Sequence, residues 1–194
     1  MMTLAEAVQV LVLGAGRTFP VLDTQGLRTL FPSDGDGAFN RGLRRLNALG
    51  LLERVGRGVY VNRGASPLGR SGIGLIAGHL RPRHLCYLSY ESALAEFGSI
   101  SQVPMIYTVA TTGNGGQYRT GCGDLEFRHT SRTETEILAN TAFDDRFGMR
   151  VASPALAYED LRRVRPTNLH LIDDEIHAEV LADWARPQLG ENHA

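Results

Sequence analysis

The chain has 194 residues, of which 43% are hydrophobic and 21% charged, and its formal net charge at pH 7 is −1. This composition is typical of globular proteins and argues against a disordered chain, and the absence of 18 uninterrupted apolar residues argues against a membrane-spanning helix. The length permits one ordinary domain or two small ones that need neither disulfides nor metal ions, and we take two as the starting expectation.

The amino terminus, MMTLAEAVQVLVLGAG, is apolar, but no basic residue precedes the apolar run and Glu6 and Gln9 interrupt it. Secretory signals have the opposite features, so a cytoplasmic protein is expected. The two cysteines, Cys86 and Cys122, are far apart and lack the paired spacing of a zinc site or a disulfide framework.

Charge is distributed unevenly along the chain. Residues 1–63 carry a balance of +3, and residues 64–194 carry a balance of −4. All 20 basic residues are arginines, so the choice of arginine over lysine at any one position carries little information. The asymmetry between the two parts suggests that the first part contacts a polyanion and the second does not.

Two helices are predicted before residue 32. A capping box begins at Thr3, and apolar residues then recur at helical spacing until Gly14, which is expected to cap the end of the first helix. Asp23 or Thr24 can cap a second, shorter helix, and Pro32 prevents its continuation.

A third helix is predicted from residue 38, with two chemically different sides. On a helical wheel its buried stripe consists of Phe39, Leu43, Leu46 and Gly50. The opposite side consists of Arg41, Arg44, Arg45 and Ala48. The helix therefore presents an arginine surface opposite the face that holds it to the protein.

The residues after this helix change from helical to strand periodicity. Gly50 permits a left-handed cap, and residues 51–55 and 59–61 are predicted as two short strands joined by Gly56-Arg57-Gly58. A β-hairpin is therefore expected directly after the third helix.

A stretch rich in turn formers at residues 66–72 is expected to connect two domains, one at 1–65 and one at 70–190. The second is expected to be a mixed α/β domain, which gives an α+β fold class for the chain. Its predicted elements, in order, are a helix from Ser89 to Gly98, a strand over 105–112, a glycine-rich hairpin turn at 113–116, a strand containing Leu125 and Phe127, a helix over 133–142, a strand over 147–152, a helix beginning at Ser153-Pro154, and a last helix that contains Ile172, Ile176, Val180 and Trp184 and stops at Pro187.

Three helices followed by a two-stranded hairpin form the winged variant of the helix-turn-helix, in which the third helix enters the DNA major groove. Major-groove contacts are expected from Asn40, Arg41, Arg44 and Arg45. Contacts with phosphates or the neighbouring minor groove are expected from Arg54, Arg57 and Arg63. Two alternatives remain open, because an amphipathic helix often has only a solvated charged face and some winged helices bind protein.

The sequence also resembles a known family. The string Leu46-x-x-Leu49-Gly50-Leu51-Leu52-x-Arg54-Val55-x-Arg57-Gly58-Val59-Tyr60 is similar to the winged amino-terminal domain of AbiEi-type antitoxins of bacterial type IV toxin-antitoxin systems. Two strings of the second half resemble later elements of that family, Tyr87-Leu88-Ser89-Tyr90-Glu91-Ser92-Ala93-Leu94 and Val151-Ala152-Ser153-Pro154-Ala155-Leu156-Ala157.

The resemblance implies a DNA-binding autorepressor that recognises inverted repeats in its own operon. It also implies a carboxy-terminal domain that counteracts a co-encoded nucleotidyltransferase-like toxin without a tight complex. A homodimer on DNA is expected if the operator is an inverted repeat, because protein symmetry mirrors the symmetry of the site. The resemblance implies no catalysis and no cofactor.

Enzymatic and metal-binding hypotheses have weaker support in the sequence. The glycine-rich strings 113–116 and 121–123 lack the Lys-Ser/Thr of a phosphate-binding loop, and hairpin turns are the preferred interpretation. His79, His84 and Cys86 have no standard metal spacing, nor do Cys122 and His129. A cysteine nucleophile remains open, because its histidine partner would be brought close only by the fold, although buried inert thiols are favoured.

Acidic pairs at 144–145, 159–160 and 173–175 are expected to be solvated or to cap helices, although such carboxylates also bind divalent ions in other proteins. Arg162, Arg163 and Arg165 form a basic cluster that either adds to DNA contact or stabilises a helix end. A second hypothesis for the whole chain keeps the DNA reader and makes residues 70–190 a ligand-sensing or enzymatic domain.

Overall fold

The computed structural model describes residues 2–186, which fold as two compact units of the α+β class. The first, here called the N-terminal unit, comprises Met1–Pro82 with Tyr118–Cys122 and Arg146–Gly148. The second, the C-terminal unit, comprises Arg83–Gln117, Gly123–Asp145 and Met149–Ala194. The turn-rich stretch 66–72, where the sequence predicts a domain boundary, thus lies inside the N-terminal unit.

The N-terminal unit contains the α-helices α1 (Leu4–Val8), α2 (Thr24–Leu30), α3 (Asp36–Ala48) and α4 (Gly72–Leu80). The predicted capping box of α1 is confirmed, and the helix continues as a π-helical segment to Leu13, followed by a 3₁₀ turn at Ala15–Thr18. Asp23 is the cap of α2 and accepts a hydrogen bond from the Gly26 amide at 2.6 Å. Helix α4 was not predicted.

Three antiparallel strands complete this unit, and they are β1 (Val21–Asp23), β2 (Leu52–Gly56) and β3 (Val59–Asn62). Their order in the sheet is β1-β3-β2, so the β2–β3 hairpin is confirmed and β1 lies on its far side. Strand β1 was not predicted from the sequence, because its three residues are too few to show the alternation of a strand.

The core of the N-terminal unit joins the helices to the sheet. It consists of Met2, Ala7, Leu11, Leu22, Leu27, Phe31, Phe39, Leu43, Leu46, Leu52 and Tyr60. At the end of β3 the buried Asn62 donates from its side-chain amide to the carbonyl oxygens of Leu11 and Gly16, both at 3.0 Å. These two bonds tie the end of β3 to the π-helical segment and to the 3₁₀ turn, and so give the buried amide its acceptors.

Two glycines of α4, Gly74 and Gly78, differ in how closely other parts of the chain pack against them. A Cβ atom added at Gly74 would lie 2.2 Å from the carbonyl oxygen of Gly148 and 2.6 Å from that of Phe147, whereas one added at Gly78 would have no neighbour within 4 Å. We expect Gly74→Ala to lower the free energy of unfolding by about 2 kcal/mol or more, because backbone must move. We expect Gly78→Ala to raise it by up to about 1 kcal/mol through helix propensity.

Urea denaturation of the two variants beside the parent protein measures both changes. Equal effects of the two substitutions would contradict the packing of α4 against residues 147 and 148.

The C-terminal unit is built on a six-stranded mixed sheet with the order β6-β7-β5-β4-β9-β8. The strands are β4 (Cys86–Leu88), β5 (Ile106–Thr111), β6 (Gly116–Tyr118), β7 (Asp124–His129), β8 (Thr141–Asp144) and β9 (Met149–Ala152). Strand β5 is parallel to β7 and antiparallel to β4, while β9 is parallel to β4 and antiparallel to β8.

The helices of this unit are α5 (Tyr90–Glu96), α6 (Glu134–Ala139), α7 (Pro154–Val164) and α8 (Asp174–Ala185), with a 3₁₀ turn at Pro166–Leu171. The predicted helix starts at Thr133 and Ser153 are confirmed, since both side chains cap their helices. Helix α6 is shorter than predicted, because residues 141 and 142 pair with β9 instead. The predicted stop at Pro187 lies outside the described residues.

The preferred interpretation of the glycine-rich turn at 113–116 as a hairpin turn is wrong. This turn connects β5 to β6, and β7 lies between those two strands in the sheet. Strands β5 and β7 pair in parallel from Ile106 opposite Asp124 to Thr111 opposite His129. The glycines therefore turn the chain toward the sheet edge, and the residues after β6 return it to pair beside β5.

Asp160 on α7 is the centre of a buried polar network. Its side chain accepts hydrogen bonds from the hydroxyl groups of Tyr87 at 3.0 Å and Ser89 at 2.8 Å, and from Nε of Arg132 at 3.0 Å. Burial, followed by the negative charge of Asp160, raises the pKa of Tyr87 and of Tyr90 above that of a free phenol. Both phenols stay protonated near neutral pH, and Tyr87 acts as a donor that ties β4 to α7.

His177 on α8 is buried, and its ring stacks on Tyr158 with centroids 5.1 Å apart. Its Nδ1 atom lies 2.9 Å from Oγ of Ser99. Burial lowers the pKa of His177 below its ordinary value of 6.5, although the nearby Asp174 acts in the opposite direction. The neutral ring is thus the form that the folded C-terminal unit accommodates.

We expect the free energy of unfolding to be at its full value above about pH 6.5 and to fall as the pH drops toward the lowered pKa of His177, because the unfolded chain binds the proton more readily. Chemical denaturation at pH 7.5 and pH 5 measures this loss. In His177→Gln the same pH change should cost less, and an identical loss in both proteins would contradict this role of His177.

Candidate nucleic-acid interface

Helix α3 is fixed at its start by local contacts that the sequence pattern did not reveal. Gly35 is the N-cap, and Asp36 in the first turn forms an ion pair with Arg28 at 2.5 Å. The guanidinium of Arg28 also lies over the ring of Phe39, 4.0 Å from its centroid. These contacts attach the first turn of α3 to α2.

The exposed face of α3 carries the residues that the sequence assigned to the major groove. Asn40, Arg41 and Arg44 are exposed, while Phe39, Leu43 and Leu46 are buried in the core. At about 100° per residue, the three exposed positions fall within about 100° of one another on the side away from the core. Neither arginine forms an ion pair with another described residue, so both charges remain available to an anionic partner.

Arg45 differs from its neighbours. It is half-buried at the edge of the exposed face, and its guanidinium donates a hydrogen bond to the carbonyl oxygen of Met2. Met2 also packs on Gly42, where an added Cβ atom would lie 3.2 Å from the Met2 sulfur. Arg45 therefore holds the amino-terminal segment against α3. The missing side chain at Gly42 leaves room for Met2 to approach the helix, and it is a signal of this contact in the sequence.

The hairpin presents two exposed arginines beside α3. Arg57 lies at the turn, next to Gly58, whose φ of 75° is in the left-handed region that favours glycine. The backbone amide of Arg54 donates to the Asn47 side chain at 2.8 Å, and its Nε donates to the Gly56 carbonyl at 3.2 Å. The first of these bonds connects β2 to the end of α3 and so fixes the hairpin relative to the helix.

Arg63, the seventh predicted contact residue, has a carboxylate partner. Its guanidinium lies 2.5 Å from Oε2 of Glu53, and Oε1 of the same glutamate accepts a hydrogen bond from the Gly121 amide at 3.0 Å. Arg63 is exposed, but its charge is compensated locally. The uncompensated basic surface is therefore narrower than the sequence suggested and consists of Arg41, Arg44, Arg54 and Arg57.

Both cysteines are free thiols and are half-buried, whereas buried thiols were favoured from the sequence. Sγ of Cys86 lies 3.3 Å from the Thr111 hydroxyl. Burial raises the pKa of the Cys122 thiol, which keeps it in the less nucleophilic protonated form. No group of three or more His, Cys, Asp or Glu side chains in residues 2–186 is arranged to hold a metal ion.

One acidic pair contradicts the expectation of a solvated face. Asp160 is only 4% exposed and is paired with Arg132, whereas its neighbour Glu159 is exposed and lies 3.2 Å from the same guanidinium. Asp173 caps α8, as expected of an acid at a helix start. In the basic cluster that follows, Arg162 and Arg163 are exposed, but Arg165 is paired with carboxylates.

Comparison with known protein families and with characterised proteins found no match to this chain. Within residues 2–186, the helices are all too short or too polar to cross a membrane.

Proposed function

We propose that the N-terminal unit is a winged helix-turn-helix that binds double-stranded DNA. In this proposal α3 enters the major groove, and the β2–β3 hairpin is the wing. The observation that supports it best is the joint exposure of unpaired Arg41 and Arg44 on the side of α3 away from the core. Arginine and asparagine are the side chains best suited to guanine and adenine in that groove, and Asn40 lies on the same face.

The wing supplies the second part of the surface. Arg54 and Arg57 are exposed on the hairpin, which the bond between Asn47 and the Arg54 amide fixes to the end of α3. Arginine on a wing contacts phosphates or a narrow minor groove. In this proposal the helix reads sequence, and the wing adds affinity through phosphate neutralisation.

We further propose that the protein represses its own operon in the bacterial cytoplasm and acts as an antitoxin of the AbiEi type. The support is the resemblance of residues 46–60, 87–94 and 151–157 to that family. In this proposal a homodimer binds inverted repeats, and the C-terminal unit counteracts a co-encoded nucleotidyltransferase-like toxin. Co-expression with such a neighbouring gene should relieve growth arrest, and persistence of the arrest would contradict the antitoxin role.

Titration of the operon's own promoter DNA tests the DNA-binding role directly. Fluorescence anisotropy at 50 to 200 mM salt should show affinity falling steeply with salt, because each neutralised phosphate releases condensed counterions. A scrambled duplex of equal length is the control and should bind more weakly. Weak binding that does not respond to salt, or equal affinity for both duplexes, would overturn the proposal.

A further inference from the structure

A cavity of about 350 Å³ opens on the C-terminal unit. None of its lining residues belongs to the proposed DNA-binding surface. Its volume is in the range of pockets that hold small organic molecules. One part of its lining is charged and includes Glu91, Glu126 and Arg165, and another part is apolar and includes Val103, Met105 and Ile106. This division suggests a ligand with one polar group and an apolar body.

Both oxygens of the Glu126 carboxylate already accept hydrogen bonds. Its Oε1 accepts from Arg128 at 2.7 Å and from the Gln117 amide at 3.4 Å, and its Oε2 accepts from Arg165 at 2.7 Å. Two guanidinium groups thus compensate this carboxylate. Glu126 therefore has its charge compensated without a ligand, and it holds Arg165 at the cavity wall.

The negative charge of Glu91, in contrast, is compensated less completely. The residue is 7% exposed, and its Oε1 accepts from the neutral Asn168 amide at 2.7 Å and from Arg165 at 3.4 Å. Its Oε2 is buried and has no hydrogen-bond donor among the described residues. A buried charged oxygen without a donor is costly, and the broad terminal torsion of glutamate lets the carboxylate turn toward a donor in the cavity.

The apolar part of the lining is unusually exposed. Met105 is 91% exposed and Val103 is 86% exposed, and both belong to the loop that leads into β5. Ile106, the first residue of β5, is 39% exposed. Three adjacent apolar side chains in contact with water beside a polar cavity can gain hydrophobic stabilisation by covering a ligand.

We propose that this cavity binds a small organic cation, with an ammonium group that donates to Glu91 and an apolar body that packs on Val103, Met105 and Ile106. The cation supplies the donor that Oε2 of Glu91 lacks. An anionic ligand is disfavoured, because Arg165 is already engaged by two carboxylates. This assignment concerns the C-terminal unit alone and does not depend on DNA binding.

Methyl NMR of the full chain labelled with ¹³C at its methionine methyl groups tests the proposal. The probe is phenethylamine, and its matched controls are the neutral 2-phenylethanol and the anionic 3-phenylpropionate, all titrated at one pH. The Met105 methyl signal should shift saturably with the amine, while the buried Met149 serves as the internal reference. The alcohol should bind at least about tenfold more weakly, because it lacks the charge-assisted bond to Glu91.

Variants separate this site from non-specific binding. Glu91→Gln should weaken amine binding at least about tenfold, whereas Glu179→Gln, an exposed carboxylate on α8 outside the cavity lining, should leave it unchanged. Met105→Ala should also weaken amine binding when measured by calorimetry. Because Met105 is exposed, this substitution should not impair folding. The proposal would be overturned by equal affinity for phenethylamine and 2-phenylethanol, or by stronger binding of 3-phenylpropionate. Undiminished amine binding in both the Glu91 and the Met105 variants would also overturn it.

Discussion

Replacing Arg41 and Arg44 by alanine is expected to abolish sequence-specific binding of the promoter DNA while leaving the fold intact. Each side chain is exposed and has no described ionic partner, so its removal breaks no ion pair of the described residues. A lost bidentate base contact costs about 1–3 kcal/mol, which corresponds to roughly 5- to 150-fold in Kd for each substitution. Fluorescence anisotropy with promoter and scrambled duplexes measures the change, and thermal unfolding verifies the fold.

Two further variants distinguish base reading from simple loss of charge. Arg44→Lys keeps the charge but loses the planar fork, so it should lose discrimination between the duplexes while retaining much of its non-specific affinity. Arg17→Ala removes one charge from the short 3₁₀ turn, outside α3 and the hairpin, and should have a small effect. Unchanged binding of the promoter by the double alanine variant would refute the assignment of α3 as the recognition helix.

Asp160→Ala is expected to be among the most destabilising single substitutions in the C-terminal unit. It leaves the guanidinium of Arg132 and the hydroxyls of Tyr87 and Ser89 without their buried acceptor. Breaking a buried ion pair by removing one partner typically costs about 3–5 kcal/mol, because the remaining charge stays desolvated. Urea denaturation followed by circular dichroism should show a correspondingly earlier unfolding transition.

The adjacent residue provides a matched control. Glu159 contacts the same guanidinium at 3.2 Å, but its side chain is 49% exposed. Ion pairs in contact with solvent contribute at most about 1 kcal/mol, so Glu159→Ala should leave stability almost unchanged. Unfolding of the two alanine variants at similar urea concentrations would contradict a stabilising role of the buried network around Asp160.

Much of the local structure was predictable from short patterns. The capping box at Thr3 and the Ser153-Pro154 helix start were recognised because each depends on residues within one turn of helix. The β2–β3 hairpin was recognised from its glycine-flanked turn. Helix α4 was missed because it has little polar periodicity, with most of its residues buried.

The surroundings of the candidate DNA-contact residues were predicted less completely than the fold. The wheel placed Asn40, Arg41 and Arg44 on the exposed face of α3, and the structure agrees. It could not show that Arg45 bonds to Met2, which is 43 positions away, or that Arg63 pairs with Glu53. Arg45 and Arg63 have the same side-chain chemistry as the unpaired arginines of α3 and the hairpin. Only the fold brings the Met2 carbonyl to Arg45 and the Glu53 carboxylate to Arg63.

The sequence by itself determined the starts of several helices and the β2–β3 hairpin, because capping, turn chemistry and hydrophobic period act over a few residues. Only the tertiary structure decided that β7 pairs beside β5 in parallel, since strand order is set by packing of the whole sheet. It also decided that Asp160 is a buried acceptor and not a solvated acid, because its partner Tyr87 lies 73 residues earlier in the chain. Distances of this kind are absent from any local pattern, so the burial of a charge and the identity of its partner emerge only when the chain is folded.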